Sequence, residues 1–214
     1  MSARHFSPID QLLGGIDQAL RTVLGPPPHA NRANPADARP DAELSAAERA
    51  DVGALMRINH AGEVCAQALY QGQAMTARLA EVREKMEQAS EEENDHLAWT
   101  AERIRDMGTH TSYLNPLWYA GSFTIGALAG LAGDKWSLGF VAETERQVVA
   151  HLEGHLRRLP PQDEKSRAIL EQMKDDEAHH ATVAIESGAA ELPPPIRRLM
   201  RLTARIMTTL AYRI

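Results

Sequence analysis

The feature that most constrains this chain is a carboxylate–histidine pattern written twice. Glu93-Asn94-Asp95-His96 and Glu177-Ala178-His179-His180 each set a glutamate three residues ahead of a histidine. Three residues advance an α-helix by about 300°, so each Glu and His share a face and can aim at one point. A single Glu-x-x-His is weak, because a chain with nine histidines meets it by accident on a solvated helix face. What precedes each motif gives it weight. Glu63 lies 30 residues before Glu93, in the mostly small and apolar run HAGEVCAQALY, and Glu145 lies 32 residues before Glu177. A carboxylate among such side chains is expensive to bury without a partner.

The order Glu, then Glu-x-x-His, thus occurs twice at nearly equal spacing. With one such segment per helix, four helices supply Glu63, Glu93, Glu145 and Glu177 together with His96 and His180. That is the ligand set of ferritin-like di-iron and di-manganese bundles. Carboxylates with imidazoles suit iron or manganese, whereas structural zinc favours cysteines, and Cys65 is the only one here. Cys65 itself reads as a small core side chain in an Ala-rich helix.

Other frames compete. Glu143 and Glu145 point about 200° apart on a helix, so only one is expected to face the core, and the more regular spacing selects Glu145. Asp176 and His179 form an overlapping motif, but Met173, Glu177, His180 and Ala184 make the better stripe. Glu91 and Glu92 read as surface charge. His151 and His155 stand four apart with no third ligand in view, and His151 is either a neighbour of the ligand carboxylates or a packed histidine. Tyr70, seven residues after Glu63, either hydrogen-bonds near the centre or is plain core. Asn59 and His60 read as structural or supporting neighbours. No catalytic residue beyond the ligands, and no organic-cofactor site, is assigned.

The rest of the chain reads as helix. Apolar residues at Ile9, Leu12, Leu13, Ile16, Leu20 and Val23 predict a short amphipathic helix over 8–24. Five prolines between Pro26 and Pro40 then mark a linker. Ser45 and Glu48 form a capping-box pattern that opens a helix over 45–78, with Leu55, Ile58, Cys65 and Leu69 inward. Further helices are expected over 80–107, over 115–159 with a break near Gly133 and Asp134, over 162–188, and from the Pro193–Pro195 run to the end. The break between the first two long helices carries no Gly or Pro. No alternating strand pattern is present, and the expected fold is all-α. The organisation expected is an N-terminal helix and linker over 1–44, the bundle over 45–190, and a C-terminal helix over 191–214.

Composition narrows the function. Lys and Arg total 23 against 29 Asp and Glu, a net charge of −6, which argues against nucleic acid as the main partner. The N-terminus shows no secretory pattern, and an intracellular location is expected.

LMRINHAGEVCAQALYQGQ, EEENDHL, NPLWYAGSFTIGALAGLAGDKWSLGFVAETE and DDEAHHA closely resemble the demethoxyubiquinol hydroxylases of ubiquinone biosynthesis, and the resemblance spans roughly residues 45–214. It implies a ferritin-like bundle holding two iron ions on Glu63, Glu93, His96, Glu145, Glu177 and His180, with O2 as co-substrate. It implies hydroxylation of the unsubstituted ring carbon of a polyprenyl methoxy-methyl-benzoquinol, the penultimate step of the pathway, and contact with other ubiquinone-biosynthesis proteins. Two other readings share parts of the pattern: a ferritin-like iron oxidase, and a non-catalytic membrane-associated quinone-binding scaffold.

Two segments predict membrane contact. The stretch 115–133 has no charged residue and approaches a membrane span in length, with Trp118 and Tyr119 at one end. Glu145 follows too closely for a true span, so a partly embedded surface segment is expected. Residues 196–214 interleave five arginines and no acid with Leu, Met and Ile, the pattern of an interfacial helix facing anionic lipid. Together they predict a peripheral protein on the cytoplasmic side of the cell membrane.

Overall fold

Ser45 begins the first long helix as its neighbours predict. Its hydroxyl accepts from the Glu48 N–H, and the Glu48 carboxylate accepts from the Ser45 N–H at 2.8 Å, closing both halves of the capping box. In this computed structural model, which describes residues 15, 17–23, 25 and 29–214, helix α1 spans Ala46–Thr76, α2 Ala80–Asp106, α3 Asn115–Ala132, α4 Asp134–Arg158, α5 Glu164–Glu186 and α6 Pro194–Ala211. No strand occurs among the described residues, so the chain is all-α as expected. Of the helix predicted over 8–24, residues 17–23 are helical, and Ala19 and Val23 pack near Val64, Ala68 and Leu97. Ile9, Leu12, Leu13 and Ile16 lie outside the described residues.

The region 115–159 divides at Gly133, whose φ of 115° is open to glycine and strained for other residues. The α1–α2 break has a different cause. The N–H groups of Arg78 and Leu79 each donate to the Asp134 carboxylate at 3.0 Å, so the turn is fixed by a residue 55 or 56 positions away. Asp163 caps α5 by accepting from the Ser166 N–H, and it also takes the Arg103 guanidinium at 2.7 Å.

Helix α1 packs along α2 and α3, α4 packs on α5, and α2 meets α5 across the centre. The four-helix core is therefore α1, α2, α4 and α5, and α3 lies within the long connection between its halves, the ferritin-like arrangement. Two apolar clusters fill it. Leu55, Met56, Trp99, Leu152, Ile169 and Met173 belong to one, and Tyr70, Val82, Met86, Leu138, Val141 and Ala184 to the other. On every core helix the metal-type residues fall between the segments that feed these two clusters, so a polar layer sits sandwiched in the bundle.

Backbone-to-backbone contact holds α3 against α1. A Cβ at Gly126 would lie 2.2 Å from the Leu69 carbonyl oxygen, and one at Gly72 would lie 2.3 Å from that of Phe123. Leu69 is accordingly half-buried under α3, and Cys65 is half-buried with its thiol pushed up to about 11 by burial. The opposite face of α3 exposes Leu117, Ile125, Leu128 and Leu131. Helix α6 docks near its C-terminal end, where Met207, Ala211 and Tyr212 meet Ile58, Ala61 and Trp118. The Tyr212 hydroxyl donates to Asp51 at 2.6 Å. The outer face of α6 exposes Ile196, Leu199, Leu202, Ile206 and Leu210. No described helix is long and apolar enough to cross a membrane.

Two glycines of α3 should respond oppositely to one methyl group. Gly126→Ala drives Cβ into a carbonyl and is expected to lower unfolding stability by about 1–3 kcal/mol, the usual cost of overpacking. Gly121→Ala, with nothing within 4 Å, should be neutral or stabilising by up to about 1 kcal/mol. Urea midpoints of the two variants test the packing.

Candidate metal centre

All six side chains singled out in the sequence are buried. Glu63 comes from α1, Glu93 and His96 from α2, Glu145 from α4, and Glu177 and His180 from α5. Donor atoms of Glu63, Glu93, His96 and Glu177 lie within 4.8 Å of one another. His96 Nδ1 is 2.9 Å from Glu93 Oε2, 3.3 Å from Glu177 Oε1 and 3.8 Å from Glu63 Oε2. His180 Nδ1 is 3.2 Å from Glu177 Oε2 and 3.5 Å from Glu93 Oε1. Glu145 faces the same layer, and the Tyr70 hydroxyl donates to its Oε1.

Electrostatics show what this packing costs. Burial, then the charges of Glu177 and Glu93, push the Glu145 carboxyl well above the usual range. Burial and the charge of Glu177 do the same to Glu93. Burial also works against Glu177, yet the hydrogen bond from His180 and the proximity of His96 outweigh it and hold that carboxyl at about 2. Burial opposes charge on His180 as well, but Glu177 raises it to about 9. Protons thus stand in for part of the positive charge the layer needs. One oxygen each of Glu93, Glu145 and Glu177 is nonetheless buried without a well-directed hydrogen bond. Orphaned anionic oxygens beside imidazole nitrogens are the donor set of a hard-to-borderline divalent cation, and the layer fits a metal centre.

Two carboxylates outside the six orient the histidines. His96 Nε2 donates to Asp176 at 2.8 Å, and His180 Nε2 donates to Glu92 at 2.7 Å. With Nε2–H directed outward, each Nδ1 faces the carboxylate layer, where it donates to Glu93 or Glu177 and where, once deprotonated, it would offer its lone pair to a metal, which is how ligating histidines are held. The bracing crosses the bundle: Asp176 of α5 serves the histidine of α2, and Glu92 of α2 serves the histidine of α5. Both acids immediately precede a motif glutamate, in Glu92-Glu93-x-x-His96 and Asp176-Glu177-x-x-His180. One residue back on a helix turns the side chain by about 100°, toward the neighbouring helix. Glu92 is therefore no mere surface charge, and Asp176 belongs to the site without the overlapping His179 frame. The repeated acidic residue was a readable signal.

Other residues take the remaining roles. Glu143 is buried as well as Glu145, because Gln147 donates to it at 2.7 Å and Arg201 of α6 approaches to 3.7 Å from another side. Tyr70 is both core and hydrogen-bond donor, and burial with nearby carboxylates keeps its hydroxyl protonated. His155 pairs with Asn59 at 2.9 Å and packs on the ring of His151, and burial depresses both histidines. Those residues knit α1 to α4. Beside the centre, a cleft of about 480 Å³, including space open to solvent, is lined by Tyr70, Met86, Leu138, Val141, Glu92 and His180 among others.

The comparisons with known proteins agree with this geometry. A family model described as "Ubiquinone biosynthesis protein COQ7" matches residues 50–211. The 3-demethoxyubiquinol 3-hydroxylase of Nitrosococcus oceani is 59% identical over 212 residues, covering 99% of each chain. That of Stutzerimonas stutzeri is 58% identical over 213 residues, covering 100% of this chain and 99% of its own. That of Pseudomonas fluorescens is 58% identical over 211 residues, covering 99% and 98%. With near-complete coverage on both sides and a buried Glu/His layer in an all-α bundle, the chain belongs to the COQ7 family of ubiquinone biosynthesis proteins.

Proposed function

We propose that the protein is a di-iron monooxygenase that uses O2 to hydroxylate the unsubstituted ring carbon of a polyprenyl methoxy-methyl-benzoquinol, a reading supported by relatives named 3-demethoxyubiquinol 3-hydroxylase. The observation that carries this reading is the convergence of six oxygen and nitrogen donor groups from four helices on one buried layer. Glu63, Glu93, His96, Glu145, Glu177 and His180 would hold the ions. A pair of ferrous ions there supplies the redox equivalents that dioxygen needs before an aromatic C–H bond can be hydroxylated.

The chain's own residues do the rest. The flanking apolar clusters exclude water and strengthen every charge interaction in the layer. Asp176 and Glu92 fix the two imidazole rings. Tyr70 holds a proton at Glu145, at the wall of the cleft. Leu138, Val141 and Met86 give that cleft an apolar lining suited to a substituted quinol ring. The iron-oxidising alternative calls for a water-facing approach, and the apolar periphery disfavours it.

Residues 45–190 form the catalytic bundle in this proposal, and 191–214 are its membrane-contact helix. The apolar outer faces of α3 and α6, whose Trp118 and Met207 both pack on the cluster of Ile58 and Ala61, would present an interfacial surface with the α6 arginines beside it. A polyprenyl substrate resides in lipid, so peripheral attachment on the cytoplasmic side of the cell membrane places the cleft near its supply. Other ubiquinone-biosynthesis proteins would meet the enzyme on the same surface.

Glu63→Ala is expected to abolish hydroxylation while far-UV circular dichroism stays helical, because the mutation removes a buried anion and opens little of the core. Product quinone detected by mass spectrometry after anaerobic reduction and O2 exposure of the metal-replete variant would contradict the proposal. Iron uptake should expel protons. His180, raised to about 9, carries a proton at neutrality that a cation must displace, and the upward shifts of Glu93 and Glu145 act in the same direction. Apparent affinity should therefore rise from pH 6 to pH 8, and calorimetry in two buffers of different ionisation enthalpy counts the protons released. The intact protein should float with anionic liposomes, and Leu202→Asp with Ile206→Asp should return it to the soluble fraction. Full recovery of the wild type in the soluble fraction would refute membrane attachment.

A further inference from the structure

The segment 31–36, in the linker before α1, lies against the bundle beside the buried Glu/His layer. The Asn31 N–H donates to Asp95 Oδ1 at 2.5 Å. The Arg32 guanidinium spans two carboxylates on two helices, reaching Asp95 Oδ2 through Nε at 2.6 Å and Asp176 Oδ2 through Nη2 at 2.8 Å. Its charged carbon also sits 4.9 Å from the centre of the Trp99 ring. Asn34 donates to Glu102 at 2.7 Å, and Ala36 is buried in the core cluster of Leu55 and Trp99. Four points of attachment make this stretch a strap.

Two of the three neighbours of Arg32, Asp176 and Trp99, touch His96. Asp176 Oδ2, which takes the Arg32 hydrogen bond, also takes the one from His96 Nε2 at 2.8 Å. Trp99 packs its ring 5.5 Å from the His96 ring. Asp95 and Asp176 face one another through a single cation, and an arginine's planar fork fixes the geometry of two carboxylates in a way that a lysine's rotating ammonium does not. Without the guanidinium the two anions would repel, and Asp176 could turn outward to water and release His96. Glu92, the partner of His180, accepts from Gln88 of its own helix at 2.9 Å just as Asp176 accepts from Gln172, but it lines the open cleft where Asp176 instead meets Arg32.

We propose that Arg32 is a positioning residue of the metal centre, clamping Asp176 so that His96 keeps its Nδ1 aimed at the ion, and that the strap over 29–36 is a working part of the site. This rests on the metal-centre reading above. The test loads the full-length protein with Fe2+ under anaerobic conditions and follows release to an excess of a ferrous chelator. Arg32→Gln should release iron about tenfold faster, the lower end of the effect of removing an outer support of a ligating histidine. Arg32→Lys should fall between Arg32→Gln and wild type. The melting temperature of the iron-free protein should fall in Arg32→Gln, because Asp95 and Asp176 lose their shared cation, so release is followed at a temperature where both iron-free proteins are fully folded. The double variant Arg32→Gln with Asp176→Asn should release iron no faster than Asp176→Asn alone, because both changes break one chain of contacts. Equal release by wild type and Arg32→Gln, or additive losses in the double variant, would overturn the role of Arg32 while leaving the metal centre standing. A wild-type protein that takes up no iron would overturn the metal-centre reading and this role with it.

Discussion

Everything in this fold is organised around the cost of burying a layer of carboxylates. Two like charges about 4 Å apart in a protein-like medium repel by about 4 kcal/mol, several times the net worth of an ordinary hydrogen bond. Hydrogen bonds alone cannot hold Glu93, Glu145 and Glu177 together as anions. Positive charge must enter the layer, as protons on His96, His180 and the raised carboxyls, or as metal cations. The apolar clusters on either side make the requirement stricter, because they remove the water that would otherwise screen it. Stability is thereby given up locally in a layer whose donor set suits cations, and the remaining core supplies the fold.

The supports around that layer are two-fold in outline and unequal in detail. Asp176 and Glu92 cross the bundle to hold the histidines of the opposite helix, a symmetry that follows from the doubled Glu-x-x-His segment. Gln172 and Gln88 support Asp176 and Glu92 alike, but Asp176 is locked further by Arg32, whereas Glu92 stands at the cleft. One side of the centre is closed by the strap, and the other is left where a small molecule can approach Tyr70 and His180. The apolar surfaces of α3 and α6 extend this asymmetry to the outside of the molecule. Glycines seat α3 on α1 through backbone contact, so its large apolar side chains are left pointing outward.

Much of this was legible in the chain itself, and the parts that were not share a cause. Helix starts at Ser45 and Asp163 and the break at Gly133 are local events, set by capping hydroxyls, a carboxylate and a positive φ. The α1–α2 break left no local mark, because Asp134 makes it from the far side of another helix. Glu143 and Glu145 were expected to compete for one buried face, and both are buried because α6 supplies a second covered side. Glu92 read as surface charge because its partner, His180, is distant in sequence.

The sequence by itself determined the helices and the division of six buried Glu and His side chains among four of them, since helical periodicity and side-chain chemistry act within a few residues. Only the tertiary structure decided which acids brace which histidines, which side of the centre is closed, and that a proline-rich stretch serves as a strap. Those outcomes depend on charges and side chains that meet across helices, where through-space distance governs the energy and separation along the chain carries no information about it.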